Sequence, residues 1–298
     1  MKISLEGRVA IVTGAGGGLG RCHALALAAR GAKVVVNDLG DEAGNPSAAA
    51  LAVVEEIRAK GGEAIADGAS VTDFPAVERM VARAMDAWGR VDILINNAGI
   101  LRDKTFAKMS LDDFRLVMDV HLMGSVHCTK AVWDIMKQQN YGRIVMTTSS
   151  SGLYGNFGQS NYGAAKLALV GLMQTLALEG AKYNIRVNSL APTAATRMTE
   201  GLLPEEVLRQ LTPESVSPGV VFLASENAPT RTILCAGAGS FETAHITLTR
   251  GVFIGHGDDA PEQIAARFAE ISDRTDDMVP GSGAVQGATE IANAQKGR

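Results

Sequence analysis

The sequence predicts an α/β protein built on a single doubly wound parallel sheet of about seven strands, with helices on both faces and a C-terminal extension. Three observations predict it. Short β-branched runs alternate with longer helical patterns through most of the chain. Glycine and alanine are abundant, as close helix-on-sheet packing requires. The 298 residues suit one large α/β domain, and neither an internal repeat nor a domain-scale linker interrupts them.

The elements follow in order. Arg8–Thr13 (RVAIVT) reads as the first strand, and Leu19–Arg30 as a helix stopped by Gly31. Lys33–Asn37 is the second strand, followed by a helix over Ala48–Lys60 that stops at Gly61-Gly62. Glu63–Ala66 is a weaker third strand, and Phe74–Trp88 a helix closing on Gly89. Val91–Asn96 is the fourth strand, and Leu111–Asn140 a long helix bent near Gly124. Arg143–Thr148 is the fifth strand, Asn161–Lys182 the next helix and Ile185–Leu190 the sixth strand. Ala191–Pro218 then holds one short helical stretch, Pro204–Leu211; a substrate lid and a surface excursion are both open readings. Ile233–Ala236 is the final strand. Residues 1–240 form the main domain and 241–298 an extension of it, helical over Pro261–Ile271 and with a loose tail over Val279–Arg298.

Composition narrows the function classes. A net charge of -4 argues against nucleic acid or an anionic membrane as the main partner. Cys22, Cys128 and Cys235 are widely spaced and odd in number, the pattern of free thiols in a reducing compartment. No cationic segment followed by an apolar one opens the chain, and no run approaches the roughly 20 apolar residues of a spanning helix. The C-terminal Gln295-Lys296-Gly297-Arg298 is not a peroxisomal address. The expected location is cytoplasmic. No metal is expected, because His23, His121, His127, His245 and His256 form no ligand motif.

Two constellations carry chemistry. Thr13-Gly14-Ala15-Gly16-Gly17-Gly18-Leu19-Gly20 lies between the first strand and the first helix, where N–H groups at a helix N-terminus face an anion and backbone approaches a pyrophosphate closely. Asp38, eighteen residues beyond Gly20, ends the second strand, where a carboxylate accepts from ribose hydroxyls and repels a 2′-phosphate. NAD is therefore expected over NADP, with Arg21 nearby as the one basic residue against it. Asn96-Asn97-Ala98-Gly99 follows the fourth strand. The second constellation is Tyr162 and Lys166, one helical turn apart, with Ser149 thirteen residues upstream of the tyrosine. An ammonium beside a phenol favours the phenolate and lowers its pKa from about 10, which makes it a proton donor and acceptor near neutral pH. Thr148, Ser150 and Ser151 compete with Ser149 on residue type alone.

Taken together, TGAGGGLG at 13–20, NNAG at 96–99, GRIVMTTSS at 142–150, YGAAK at 162–166 and IRVNSLAPTAATRM at 185–198 resemble the short-chain dehydrogenase/reductase family over roughly residues 6–240. Within it, VAIVTGAGGGLGR, VVVNDLG, YGRIVMTTSSSGLYGNFGQSNY and APTAATRM resemble the (3R)-hydroxyacyl-CoA dehydrogenase branch found in peroxisomal multifunctional enzymes, whose bacterial relatives act on acyl-CoA thioesters and steroids. The resemblance implies a Rossmann-like fold and an NAD-dependent interconversion of a secondary alcohol and a ketone. Tyr162 would move the proton on the substrate oxygen, Lys166 would tune it and hold the nicotinamide ribose, and Ser149 would bind that oxygen. Cofactor contacts are implied for Gly14, Gly18, Leu19, Gly20, Asp38, Ser70, Val71, Asn97, Ala98, Gly99, Pro192 and Thr196, besides Tyr162 and Lys166. The chain departs from the family in three places. His121 stands where an Asn is usual, and a proton relay and a helix-bending role are both open to it. Ala165 replaces a Ser or Thr before the lysine, and Thr193 replaces a Gly after Pro192. A 3-hydroxyacyl-CoA is the expected substrate, a hydroxysteroid the alternative, and a catalytically silent dinucleotide-binding protein the second. Arg102, Lys104 and Lys108 are open to two readings, attraction of CoA phosphates or a solvated surface. Relatives pair their long helices in a four-helix interface, which implies a homodimer or homotetramer.

Overall fold

A computed structural model describes residues 2–195 and 204–297. The chain divides into two compact units, Met1–Thr243 and Ala244–Arg298.

The first unit is organised by an eight-stranded sheet: β1 (Val9–Val12), β2 (Lys33–Asn37), β3 (Ala64–Asp67), β4 (Ile93–Asn96), β5 (Gly142–Thr147), β6 (Ile185–Thr193), β7 (Ile233–Gly237) and β8 (Ser240–Ala244), in spatial order β3-β2-β1-β4-β5-β6-β7-β8. The pairs from β3 through β7 are parallel. β1 and β4 are buried at every position, as strands covered by helices on both faces must be. The strand order reverses between β1 and β4, which opens a crevice beyond their carboxyl ends.

The sheet has one strand more than the sequence pattern predicts. β7 and β8 are joined by Ala238 and Gly239, with φ of 51° and 78°. Positive φ at both central residues makes a two-residue hairpin turn. β8 is exposed along most of its length, so it lacks the apolar signature that marks the other strands.

Helices cover the sheet: α1 (Gly18–Ala28), α2 (Ala48–Ala59), α3 (Phe74–Trp88), α4 (Leu111–Met118), α5 (Gly124–Gln139), α6 (Ser150–Tyr154), α7 (Ser160–Gly180), α8 (Glu205–Gln210) and α9 (Ser217–Leu223). The long helix expected over Leu111–Asn140 is interrupted by a π turn, Asp119–Met123, one residue before the expected bend. Gly124 follows because a Cβ there would come within 2.6 Å of Val71 Cγ2. α6 and α9 were not anticipated: one is five residues long and the other hides behind Ser217-Pro218, where proline occupies the first turn.

Ser160–Tyr183 reaches a mean hydropathy of 1.2, long and apolar enough to cross a bilayer by length and composition, contrary to the expectation that no run approaches that limit. Its apolarity has a packing cause: α7 lies against β5, β6 and α4, burying Ala165, Leu169, Val170, Met173 and Ala177.

The second unit contains α10 (Ala260–Ala266), α11 (Phe268–Ile271) and α12 (Ala284–Lys296). The expected loose tail thus contains a helix of 13 residues, amphipathic enough to form but too rich in Ala, Gly and Gln for its period to stand out. A Leu248–Met278 bridge and the Asn293 side chain, which donates to Arg250 O at 2.9 Å, tie this unit to itself.

Candidate active site

The cleft beyond β1 and β4 has a volume of about 510 Å³. Gly14, Gly18, Leu19, Gly20, Asp38, Asn97, Gly99, His121, Tyr162, Lys166 and Pro192 line it, and so do Gly17 and Thr147, which the sequence reading did not single out. Thr196 lies outside the described residues. Ser70, Val71 and Ala98 are not among its lining residues. Val71 is buried and its carbonyl lies 2.9 Å from His127 Nδ1, Ser70 Oγ is 2.8 Å from Thr72 Oγ1, and Ala98 N–H donates to Thr13 Oγ1 at 3.0 Å.

The glycine turn is shaped by close approach. Gly14 has φ of 64° and a Cβ there would meet Ala98 Cα at 2.8 Å. A Cβ on Gly20 would run into Gly14 O, and one on Gly16 into the Asp38 carboxylate. Backbone and carboxylate are thus brought together only because those side chains are missing. α1 starts at Gly17 with no side-chain cap, so its first N–H groups are left for an anion. Asp38 Oδ1 accepts from Leu39 N–H at 2.9 Å. Arg21 is held by Glu56 at 2.5 Å, on the α2 side. The turn is locked to the fourth strand by Asn97, whose Nδ2 donates to Thr13 O at 2.9 Å and Gly14 O at 3.2 Å. Asn97 acts here through the backbone of the turn, a clamp that the NNAG spacing does not reveal.

On the opposite wall, Lys166 is buried within α7 and its Nζ donates to Thr147 O at 2.6 Å. Burial pulls its pKa down from 10.5 to about 7. Tyr162 lies one turn earlier, with Lys166 Nζ 5.4 Å from its ring centroid. Ser149, the N-cap of α6, accepts from Ser151 N–H at 3.2 Å and hydrogen-bonds the Tyr162 hydroxyl. Thr148 is excluded from that role because its hydroxyl donates to Lys166 O at 2.6 Å. The i,i+4 spacing predicts a tyrosine pKa below normal, but in the protein alone Tyr162 is raised. Burial is the main cause; the Ser149 hydrogen bond works against it and the Asp103 carboxylate adds to it. Spacing cannot show that a ring is desolvated.

His121 sits in the π turn, 1% exposed, with its ring edge-on to Tyr162 at 5.2 Å between centroids. Its Nε2 is 2.8 Å from Ile100 O and 3.1 Å from Ile100 N, while Nδ1 is buried with no partner. Burial, aided by the Lys166 charge, pushes its pKa down to about 3, so the ring is neutral at physiological pH. Gly99 is required opposite it, since a Cβ there would meet the imidazole.

Sequence reasoning missed the two amides that hold Tyr162. Asn161 is fully buried; its Oδ1 accepts from Tyr162 N–H at 2.7 Å and its Nδ2 donates to Arg102 O at 3.1 Å. Gln159 links Asp103 to Ser151. Polar residues before a helix resemble ordinary caps in sequence, and only their burial separates them.

A glycine cradle at an uncapped helix start, a carboxylate beyond it and a Tyr–Lys pair on the facing wall, with Ser149 behind it, coincide with the family signature. The profile described as short chain dehydrogenase matches residues 8–206. The chain belongs to the short-chain dehydrogenase/reductase family. A short-chain type dehydrogenase/reductase of Mycobacterium tuberculosis is 50% identical over 283 residues, covering 93% of this chain and 98% of that protein. Peroxisomal multifunctional enzyme type 2 of Mus musculus is 54% identical over 228 residues, covering 76% of this chain but 31% of the mouse protein. The full-length enzyme of that name from Drosophila melanogaster superposes with a TM-score of 0.82 at 40% identity, covering 99% of this chain and 50% of the fly chain. A 7α-hydroxysteroid dehydrogenase complexed with NADH and 7-oxo glycochenodeoxycholic acid superposes at 0.71 and 31% identity, covering 80% of this chain and 95% of that one. This short-chain dehydrogenase/reductase therefore spans between 24% and 61% of the length of the multifunctional relatives it matches and nearly all of the mycobacterial one. It is an oxidoreductase of a family that binds nicotinamide dinucleotides.

Proposed function

We propose that the protein is an NAD-dependent dehydrogenase that interconverts a secondary alcohol and a ketone, with a (3R)-3-hydroxyacyl-CoA as substrate. The observation that carries it is the convergence of Tyr162 and Lys166 on the cleft that the glycine turn and Asp38 line, with Ser149 behind them on the Tyr162 hydroxyl. A bound nicotinamide supplies the hydride acceptor or donor; the residues present fit that group through the cradle, the uncapped helix start and Asp38. Ser149 orients the substrate oxygen, and Tyr162 Oη takes its hydroxyl proton in oxidation and returns it in reduction. Lys166, with one hydrogen bond in the protein alone, has two N–H groups left for ribose hydroxyls and stabilises the phenolate as it forms.

Asp38 over Gly16 and the engagement of Arg21 with Glu56 support NAD over NADP, because the carboxylate repels a 2′-phosphate and Arg21 is already paired. The hydroxyacyl-CoA reading draws support from the multifunctional relatives, and a hydroxysteroid is the second reading, favoured by likeness to a steroid dehydrogenase. A homodimer or homotetramer through α5 and α7 is supported by the apolar groove that Val126, Trp133, Leu172 and Leu176 line between them; sedimentation as a monomer would remove it.

The test is a screen of NAD and NADP reduction with (3R)- and (3S)-3-hydroxyacyl-CoAs and 17β-hydroxysteroids, in the wild type and Tyr162→Phe. NAD-linked turnover of the (3R)-thioester, lost in the variant by about 100-fold or more, is expected. Undiminished turnover in Tyr162→Phe would overturn the mechanism, and steroid turnover alone would replace the substrate.

A further inference from the structure

Three segments meet at the start of α7: the loop after β4 (Arg102, Asp103, Lys104), the start of α6 with its following loop (Ser149–Asn156), and Gly158–Tyr162. Gln159 stands at their junction and is 9% exposed. Its Nε2 donates to Asp103 Oδ2 at 2.6 Å, and its Oε1 accepts from Ser151 Oγ at 2.8 Å and from Asn156 Nδ2 at 3.1 Å. The orientation of the amide is fixed by those partners. Turned over, it would set its oxygen against the Asp103 carboxylate and strand both donors. Lys104 N–H donates to Gly158 O at 2.9 Å alongside.

The consequence is geometric and electrostatic. Ser149 opens α6 and Tyr162 lies in the first turn of α7; the Gln159 amide is the side-chain tie between those two helix starts. The carboxylate that anchors the tie follows Arg102, whose carbonyl receives the Asn161 amide that in turn holds Tyr162 N–H, and it opposes ionisation of the phenol. The groups facing the phenol from each packed element, among the described residues, are Lys166 on α7, Ser149 on α6, His121 on the π turn and Asp103 on the loop after β4. Arg102 and Lys104, beside Asp103 in sequence, reach Asp113 at 3.8 and 3.9 Å, so their charge is directed away from it.

We propose that Gln159 and Asp103 are positioning residues for proton transfer: the amide holds Ser149 and Tyr162 in register, and the carboxylate orients the amide while opposing ionisation of the phenol. Ser149 and Asp103 then act on the phenol in opposite directions, the hydroxyl favouring the phenolate and the carboxylate the neutral ring. The inference rests on Tyr162 being the proton-transferring group.

The test titrates Tyr162 directly by phenolate absorbance, as the difference between each variant and the same variant carrying Tyr162→Phe, with NAD present. No substrate is needed, so the outcome is independent of which alcohol the enzyme oxidises. Asp103→Asn keeps an acceptor oxygen for Gln159 and removes the charge; its phenolate should form at lower pH than in the wild type. Gln159→Glu places a second carboxylate against Asp103 and should raise the midpoint and lower kcat about tenfold, with Kd for NAD unchanged. Adding Asp103→Asn to Gln159→Glu should restore both. A titration of Asp103→Asn superimposable on the wild type, or a Gln159→Glu defect that the double variant does not relieve, would overturn the proposal. Activity surviving in Tyr162→Phe would instead overturn the reading on which it rests.

Discussion

The two ends of the sheet bury charge in opposite ways. At the amino end, Arg143 is fully buried on β5, yet its guanidinium donates to the carbonyls of Gly142, Asn184, Ser225 and Glu226 at 2.7–2.9 Å. Asp92 beside it receives Arg8, Arg90 and the Val9 N–H. At the carboxyl end, Lys166 is 3% exposed and makes a single hydrogen bond. Around it Asn96 Oδ1, Thr147 Oγ1 and His121 Nδ1 are buried without partners. Burial alone does not mark a functional residue. Spare hydrogen-bonding capacity is the feature that separates the two ends, because a buried polar atom left unpaired costs about 1–3 kcal/mol unless something else meets it. His23 Nε2, Ser189 Oγ and the Tyr141 hydroxyl are exceptions, buried and unpaired but not lining the cleft; over the Tyr141 ring lie Arg8 and Arg143 at 3.6 and 4.1 Å.

The largest expected effect separates the two ends by activity. Lys166→Met should lower kcat by about 100- to 1,000-fold through loss of phenolate stabilisation, while chemical denaturation shows no loss of stability. Arg143→Met should do the reverse, costing about 3–5 kcal/mol by stranding four carbonyls and nearby charges, with kcat little changed in the protein that remains folded. Should Lys166→Met unfold the protein and Arg143→Met silence it, the contrast would fail.

A smaller effect appears in the pH dependence of stability. The Lys166 pKa is 10.5 in the unfolded chain and about 7 when folded. Between those values the unfolded chain binds the extra proton, so stability rises with pH across that window. The Lys166 contribution between pH 7 and pH 9 amounts to roughly 2 kcal/mol. Denaturation midpoints at pH 7 and pH 9, compared between wild type and Lys166→Met, should show this rise only in the former. NAD should flatten it by supplying partners for the ammonium.

The smallest effect concerns His121. Held neutral by burial, it should add no inflection near pH 6.5 to the rate profile, and His121→Asn should retain kcat within about tenfold. A profile that loses an inflection in this variant would make the imidazole a titrating participant.

Legibility in the sequence followed from locality. Phe74–Trp88 and Lys33–Asn37 coincide with their expected bounds because each carries its own signals: an Asp cap and a closing glycine for one, and a β-branched apolar run for the other. β8 and the helix in the tail carry no such signals and were missed. Of the site, the glycine turn, Asp38, Ser149, Tyr162 and Lys166 were legible because close backbone approach and one-turn spacing are local constraints. Asn161, Gln159 and Asp103 were not, since they act by joining segments distant in sequence.

The sequence by itself determined the parallel sheet, the order of its elements and the side chains to be looked for at the candidate site, because periodicity and spacing are properties of neighbours along the chain. Only the tertiary structure decided how those side chains behave. It selected Ser149 over Thr148 by occupying the latter's hydroxyl, and gave Arg21 to Glu56. It raised the Tyr162 pKa where spacing predicts a fall, and lowered that of Lys166. Hydrogen-bond partners and desolvation depend on what lies across space, and one strand or helix cannot specify them alone.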